Sequence, residues 1–310
     1  MAFSATDAAF EGFRLVRRNP MAIVVWSVLY FVLSLASLFA SAHSMRGMVA
    51  LTELLDGMES TPPASFQDIL PIFEAYGQAM SYTAWLMPVS LVVGSIIYAA
   101  IARGVLTPQA KGLGYVKFGM DEVRVLVVSI VISLAAIVIY CLALAGVFAL
   151  GAIAIATEQG WMWLLVVLGF LAAIALMIWL AVRWSLAIPI VVAEKRFAFF
   201  DSFGMTRGRF WPLFGMAIIA GLLSVVIWFL SMIVAMPVSM MSGVSMMGAM
   251  GPSTDPAAML EAFDPTNPWM IATAVVNAIV YALMVGVVYA PFAVAYRDIT
   301  GSTPSAAVSD

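Results

Sequence analysis

Arginine and aromatic side chains alternate at helical spacing in two polar stretches of this sequence. In residues 199–211, Phe203 and Phe210 lie beside Arg207 and Arg209, with long apolar runs on both sides. A second stretch, at residues 10–19, combines basic and aromatic residues in the same way: Arg14, Arg17, Arg18, Phe10 and Phe13. Helices of this kind lie at a membrane surface with aromatic groups toward lipid and cations toward anionic headgroups. The chemistry predicted here is therefore headgroup binding, with membrane lipids, above all anionic phospholipids, as partners.

The two stretches also share a residue order: Phe, acid, small, Phe, any, Leu or Met, any, Arg. Residues 10–19 are called copy one and residues 199–211 copy two, and a degenerate copy three stands at residues 115–120. Each copy precedes a pair of apolar runs and enters from the same side, which is typical of parallel repeats about an axis normal to the membrane. The alternative is chance similarity among short aromatic-basic interface segments.

Three polar residues inside or beside apolar runs are candidates for a more specific role. Arg183 has two interpretations: an interfacial side chain before a surface segment starting at Pro189, or a buried group that pairs with Glu194 or Asp201 or holds a lipid phosphate. Asn277 and Tyr281 lie in the last apolar run. An amide there either bonds across to a neighbouring helix or contacts a substrate.

Other site chemistries find little support in the sequence. The chain has one histidine, His43, and one cysteine, Cys141. A histidine cluster for metal binding and a disulfide within the chain are therefore both excluded. Methionines cluster between residues 240 and 250, and thioethers favour Cu(I), but methionine is also an adaptable apolar filler. We expect no catalytic residue, no metal and no cofactor.

The positions of these groups depend on an unusually apolar chain. Of its 310 residues 64% are hydrophobic and 10% charged, and the mean hydropathy is +1.06. Soluble domains are near half apolar and a quarter charged, so lipid must surround most of this chain. Six runs are long enough to cross a bilayer, at residues 21–42, 82–106, 124–156, 161–192, 211–241 and 269–296. The predicted fold is all-α: a polytopic integral membrane protein with six transmembrane helices as three hairpins, each preceded by a cytoplasmic interfacial amphipathic segment.

Basic residues predict the orientation of these helices. Of the 14 lysines and arginines, only Arg46 falls on the far side of a six-helix arrangement. The positive-inside rule then places both termini in the cytoplasm, and we expect a bacterial inner membrane protein. A signal peptide cleaved after residues 40–42 is the alternative for the first run. Residues 1–298 are expected to form one transmembrane domain, and residues 299–310 a disordered tail.

The connections on the far side are expected to differ from each other. Residues 43–80 are predicted to contain a short amphipathic helix and a second helix capped by Ser65 and Asp68. Residues 242–268, rich in Gly, Ser, Pro and Met, are expected to be the most mobile part of the chain. Kinks are expected at the prolines of the apolar runs: Pro88, Pro189, Pro212, Pro237 and Pro291.

Two ridges of small residues are predicted to pack against neighbouring helices. One runs along the sixth apolar run, at Ala274, Ala278, Ala282, Gly286 and Ala290. The other runs along the third, at Cys141, Ala145, Ala149, Ala152 and Ala156. Val287 lies off the first ridge and is expected to tolerate enlargement better than Ala282 or Gly286.

The segment from Arg183 to Pro189, then Glu194, then Ser202 to Trp211 resembles the membrane domain of bacterial glycerophosphoryl diester phosphodiesterases. Those proteins share a pattern like R-x-S-L-A-x-P, an acid, then S-[FW]-x-[LM]-T-[RK]-G, and residues 98–103 match another of their segments. The resemblance implies a multi-helix membrane fold. It implies no phosphodiesterase activity, because that chemistry belongs to a separate soluble barrel with histidine and acidic metal ligands.

These observations predict a non-catalytic membrane partner or a lipid-associating module, with no nucleic acid as partner. The alternative is a transporter or conduit for a small molecule or lipid. A conduit would need a polar cavity, which only Arg183, Asn277, Tyr281 and scattered serines could line. An enzyme would need acids, histidines or a nucleophile gathered at one depth, which the sequence does not show.

Overall fold

A computed structural model describes residues 4–60, 66–109, 112–241 and 264–301. The described residues are almost entirely helical and contain no strand. In chain order the helices are α1 (Ala5–Ala9), α2 (Glu11–Arg18), α3 (Pro20–Ser60), α4 (Phe66–Ala84), α5 (Leu86–Leu106), α6 (Met120–Thr157), α7 (Met162–Trp184), α8 (Ala187–Glu194), α9 (Asp201–Met205), α10 (Phe210–Met241) and α11 (Pro268–Thr300). A short 3-10 helix, Leu113–Tyr115, precedes α6.

Six segments are long and apolar enough to cross a membrane by length and composition, which confirms the number predicted from the sequence. They are Pro20–Val49, Ile69–Leu106, Leu113–Thr157, Met162–Glu194, Phe210–Val238 and Pro268–Thr300. Each predicted run falls within or largely overlaps one of these segments. Six such segments are compatible with a multi-pass membrane protein.

The first connection differs from its prediction. The short amphipathic helix expected after residue 43 is not separate, because α3 continues unbroken from Pro20 to Ser60. The second helix begins at Phe66, next to the expected cap, although Ser65 itself lies outside the described residues. Most of the connection at 242–268 and most of the tail also lie outside them, while α11 extends to Thr300.

Prolines follow the breaks in two of the spanning segments. Helix α4 ends at Ala84, four residues before Pro88, and α7 ends at Trp184, five residues before Pro189. A proline ring clashes with the carbonyl four residues earlier and removes one backbone hydrogen bond, so the break precedes the proline. In contrast, Pro237 and Pro291 lie inside continuous helices.

The chain forms two compact units. The first comprises residues 1–18, 95–222 and 286–310, and the second comprises residues 19–94 and 223–285. In the first unit α8 packs against α6 and α9, and its Ile190 and Val191 are fully buried. The prediction of a surface segment starting at Pro189 is therefore wrong, because that residue is itself buried in α8.

Close helix pairs occur in both units, and each includes a glycine. In the second unit α3 packs on α4, where a Cβ at Gly47 would lie 2.8 Å from the Ala79 Cβ. In the first unit α7 packs on α6, and a Cβ at Gly169 would lie 3.3 Å from the Leu150 side chain. In lipid the hydrophobic effect does not favour helix association, so helices associate through close backbone packing of this kind.

The two predicted small-residue ridges have opposite outcomes. Every ridge residue of α11 is buried, which confirms that this ridge faces protein. The α6 ridge is exposed at Cys141, Ala145, Ala149, Ala152 and Ala156. That prediction is wrong, because the face of α6 that meets α7 carries Val147 and Leu150 instead. Val287, which lies off the ridge, is fully buried as well, so the expected difference between it and Ala282 stays a prediction.

The three copies of the predicted repeat adopt different local structures. Copy one forms the eight-residue helix α2, and copy two contains the five-residue helix α9. Copy three contains the end of the 3-10 helix, followed by extended backbone at Val116. The relation among the copies and the arrangement of the spans as hairpins therefore remain proposals.

Candidate functional site

The candidate lipid-facing arginines of α2 differ in their ion pairing. Arg14 pairs with Asp7 at 2.9 Å, and the hydrogen bond to that carboxylate raises the pKa of Arg14. Arg18 pairs with Glu11 at 3.1 Å. Arg17 is exposed and has no carboxylate partner among the described residues. Among the arginines of this helix, Arg17 therefore carries the positive charge that no described carboxylate balances.

Copy two presents its arginines on a turn between α9 and α10. Gly208 has a φ of +77°, a left-handed conformation that glycine adopts without steric cost. This turn leaves Arg207 and Arg209 exposed on either side of it. The Arg209 side chain donates to the Met205 carbonyl at 3.4 Å, and neither arginine pairs with a carboxylate in the described part of the chain.

Arg183 is half-buried, and its side chain pairs with neither of the acids considered as its partners. Its Nη1 donates to the Phe203 carbonyl at 3.1 Å and to the Thr206 hydroxyl at 3.2 Å, and its guanidinium lies 5.2 Å from the centre of the Trp179 ring. The half-buried guanidinium therefore binds the backbone of copy two. The two acids considered as its partners both pair with Arg196 instead. In this cluster Glu194 also accepts from the Tyr296 hydroxyl, and its hydrogen bond to Arg196 raises the pKa of that arginine.

Ser202 connects the same elements. Its hydroxyl donates to the Arg183 carbonyl at 2.5 Å and accepts from the Leu186 amide at 3.2 Å, and the residue is fully buried. These are backbone groups at the break between α7 and α8, where the helical pattern leaves them unpaired. Ser202 therefore stabilises the break, and Arg183 attaches copy two to it.

A buried ion pair at copy three was not identified from the sequence. Arg103 pairs with Glu122 and also donates to the Tyr115 carbonyl, and both charged side chains are 7% exposed. Its role parallels that of Arg183, because each arginine ends a spanning helix and donates to a carbonyl of the copy that follows. The sequence signal for such a contact is a basic residue at the end of an apolar run. Basic residues that only set the topology stand at the same positions, so this signal does not single out Arg103.

Asn277 and Tyr281 lie together on a groove of about 450 Å³ in the second unit. Helices α3 and α11 line it with Tyr30, Leu33, Ser34, Ser37, Leu38, Ser41, Met270, Thr273, Ala274, Asn277 and Tyr281. The serines that the sequence showed only as scattered share one helical stripe with Tyr30. Of the polar residues considered for a conduit, Asn277 and Tyr281 are brought together here, whereas Arg183 lies elsewhere.

Side chains that could ligate a metal ion do not gather in the described part of the chain. It contains no group of three or more His, Cys, Asp or Glu side chains that could hold a metal ion. The Nδ1–H of His43 donates to the Phe39 carbonyl at 2.9 Å, and Cys141 is exposed on α6.

The comparisons with known proteins add no family to this description. No family model, no curated protein and no solved structure matches the chain.

Proposed function

We propose that this protein is a non-catalytic integral membrane module that associates with lipid, and that anionic phospholipids bind at its exposed arginines. The observation that supports this is the absence of carboxylate partners for Arg17, Arg207 and Arg209 in the described residues, although acids pair with arginines close by. Exposed cations without protein partners are free to meet phosphate groups. Each basic residue near an anionic membrane surface contributes about 1 kcal/mol of attraction.

Large aromatic side chains next to these arginines favour the same interpretation. Phe13 is 40% exposed beside Arg14, and Trp211 is 74% exposed beside the turn at Gly208. Exposed aromatic groups are poorly accommodated in water, and the interfacial region of a bilayer is where Trp and Phe are stabilised. The combination fits a surface that lies at the headgroup level.

We further propose a bacterial inner membrane, with both termini in the cytoplasm and six crossings arranged as three hairpins. The basic asymmetry of the sequence supports the orientation, because all lysines and arginines but Arg46 fall on one side. The packing of α3 on α4 and of α6 on α7 supports the pairing of neighbouring spans.

The lipid proposal is tested by replacing Arg207 and Arg209 together with glutamine. The full-length protein is purified in a mild detergent, and its binding of phosphatidylglycerol is measured by native mass spectrometry. Two lost attractions should weaken binding by roughly ten- to thirty-fold. The matched control is Arg196→Gln, another exposed arginine, which already pairs with Glu194 and Asp201. Unchanged phosphatidylglycerol binding in the double variant would contradict the proposal.

A second candidate function is a lipid conduit, which is favoured by the groove between α3 and α11. It predicts that vesicles containing the protein move a fluorescent phosphatidylcholine between leaflets faster than empty vesicles. Ser37→Leu, which adds bulk at the groove lining, should slow that movement. A rate equal to that of empty vesicles would contradict this function.

A further inference from the structure

The groove between α3 and α11 contains a row of polar groups within two membrane-spanning segments. Ser34, Ser37 and Ser41 recur at helical spacing on α3, and Asn277 and Tyr281 do so on α11. Asn277 lies about 14 Å along a helix about 50 Å long, at 1.5 Å per residue. The row is therefore inside the spanning region and not in a connecting loop.

Several side chains of this row have unfilled hydrogen-bonding capacity within the described part of the protein. Among the described residues, no hydrogen-bond partner is found for the Asn277 amide or for the hydroxyls of Ser34, Ser37 and Ser41. Polar groups at membrane depth have no water to bond, so leaving them unpaired costs free energy. The Asn277 side chain is exposed toward the groove, so a molecule that occupies the groove can supply the missing partner.

The rest of the lining is apolar. Leu33, Leu38 and Met270 contribute hydrocarbon, while the rings of Tyr30 and Tyr281 contact each other at a centroid distance of 6.1 Å. The volume of about 450 Å³ lies within the 300–1,000 Å³ range of small-molecule sites, which combine mostly apolar walls with a few orienting polar groups. The matching ligand has a hydrocarbon chain and a neutral hydrogen-bonding group.

We propose that this groove is a binding site for one acyl chain of a membrane lipid, whose ester or hydroxyl group hydrogen-bonds to Asn277 and the neighbouring serines. No charged residue lines the groove, so the recognised part of the lipid is the neutral linkage and not an anionic headgroup. The site shares no residue with the arginines of the proposed function, and it requires neither anionic lipid nor transport.

The test uses the full-length protein in phosphatidylcholine nanodiscs, which contain no anionic lipid. The probe is a monoacylglycerol with a photoactivatable diazirine in its acyl chain, and labelled residues are mapped by mass spectrometry. Labels are expected on residues 30–41 and 270–281, and unlabelled 1-oleoylglycerol should compete. Octadecane, which has a chain but no hydrogen-bonding group, should compete poorly.

Substitutions separate the polar contact from general lipid exposure. Asn277→Leu should reduce labelling of the groove by about three- to fifteen-fold, the range expected for one hydrogen bond inside a membrane. The control Val275→Leu changes an exposed residue of the same helix that does not line the groove and should have no effect. The Arg207→Gln, Arg209→Gln double variant should also label normally, so this inference and the headgroup proposal can fail separately.

Three results would overturn the inference. Labels spread over exposed helix faces and unaffected by 1-oleoylglycerol would show ordinary contact with bulk lipid. Competition by octadecane as strong as that by 1-oleoylglycerol would show that Asn277 recognises nothing. A dimer in solution that Asn277→Leu dissociates would show that a second copy of the chain fills the groove.

Discussion

Gly12 of α2 lies directly against the backbone of Val287 in α11. A Cβ atom at position 12 would come within 2.4 Å of the Val287 Cα and 2.7 Å of the Gly286 carbonyl oxygen. No rotamer change can relieve a contact with backbone atoms. Because position 12 has no side chain, copy one packs directly against the last spanning helix. This glycine is part of the same sequence pattern as the arginines of copy one.

Replacing Gly12 with alanine should destabilise the protein, because α2 must move away from α11. Overpacking of this kind costs about 1–3 kcal/mol. We expect a lower midpoint of thermal unfolding in detergent. The matched control is Gly215→Ala, a helical glycine with open space around its Cβ position, which should leave the midpoint unchanged or raise it. Equal midpoints for Gly12→Ala and the native chain would contradict the close contact.

Replacing Glu122 with glutamine should be more damaging, since it leaves the buried guanidinium of Arg103 without a counter-charge. Breaking one partner of a buried ion pair costs about 3–5 kcal/mol, whereas replacing both by apolar residues is often neutral. The double variant Arg103→Met, Glu122→Leu should therefore be more stable than Glu122→Gln in the same unfolding assay.

The control for the Glu122→Gln variant is Asp121→Asn, which breaks the partly exposed pair with Arg124. Such pairs contribute at most about 1 kcal/mol. If Glu122→Gln had no larger effect than this control, the ion pair at Arg103 would not be a buried structural element.

Replacing Ser202 with alanine should open the break between α7 and α8. The change removes the only side-chain hydroxyl that pairs with the Arg183 carbonyl and the Leu186 amide among the described residues, and leaving such groups unpaired costs about 1–3 kcal/mol. Hydrogen exchange of the Leu186 amide should accelerate. Ser90→Ala, an exposed serine bonded within its own helical turn, serves as control. Unaltered exchange at Leu186 would contradict this role.

The proposed orientation predicts the outcome of reporter fusions. Fusions after Gln67 and after Thr254 should report a position outside the cytoplasm, and fusions after Lys111 and after Ser302 a position inside it, as the distribution of basic residues indicates. A cytoplasmic signal at either of the first two sites would overturn the six-crossing topology.

The sequence alone determined that the chain is helical and has six stretches long and apolar enough to cross a membrane, because hydrophobicity over about 20 residues is a local property that needs no knowledge of contacts. For the same reason it located all six spanning segments and the proline positions near which two of them break. The ridge on α11 was also predicted correctly. The basis of that prediction is that small residues on a regular stripe let two helix backbones approach closely.

Only the tertiary structure decided which of two similar ridges is buried, because small residues at helical spacing look the same whether or not a neighbouring helix covers them. It likewise showed that Arg183 binds a backbone carbonyl and not an acid, that Arg103 has a buried partner, and that the scattered serines share a groove with Asn277. Each of these depends on contacts between residues distant in sequence. Charge and hydrophobicity indicate where a side chain can reside, but its partner is set by the helices that pack around it.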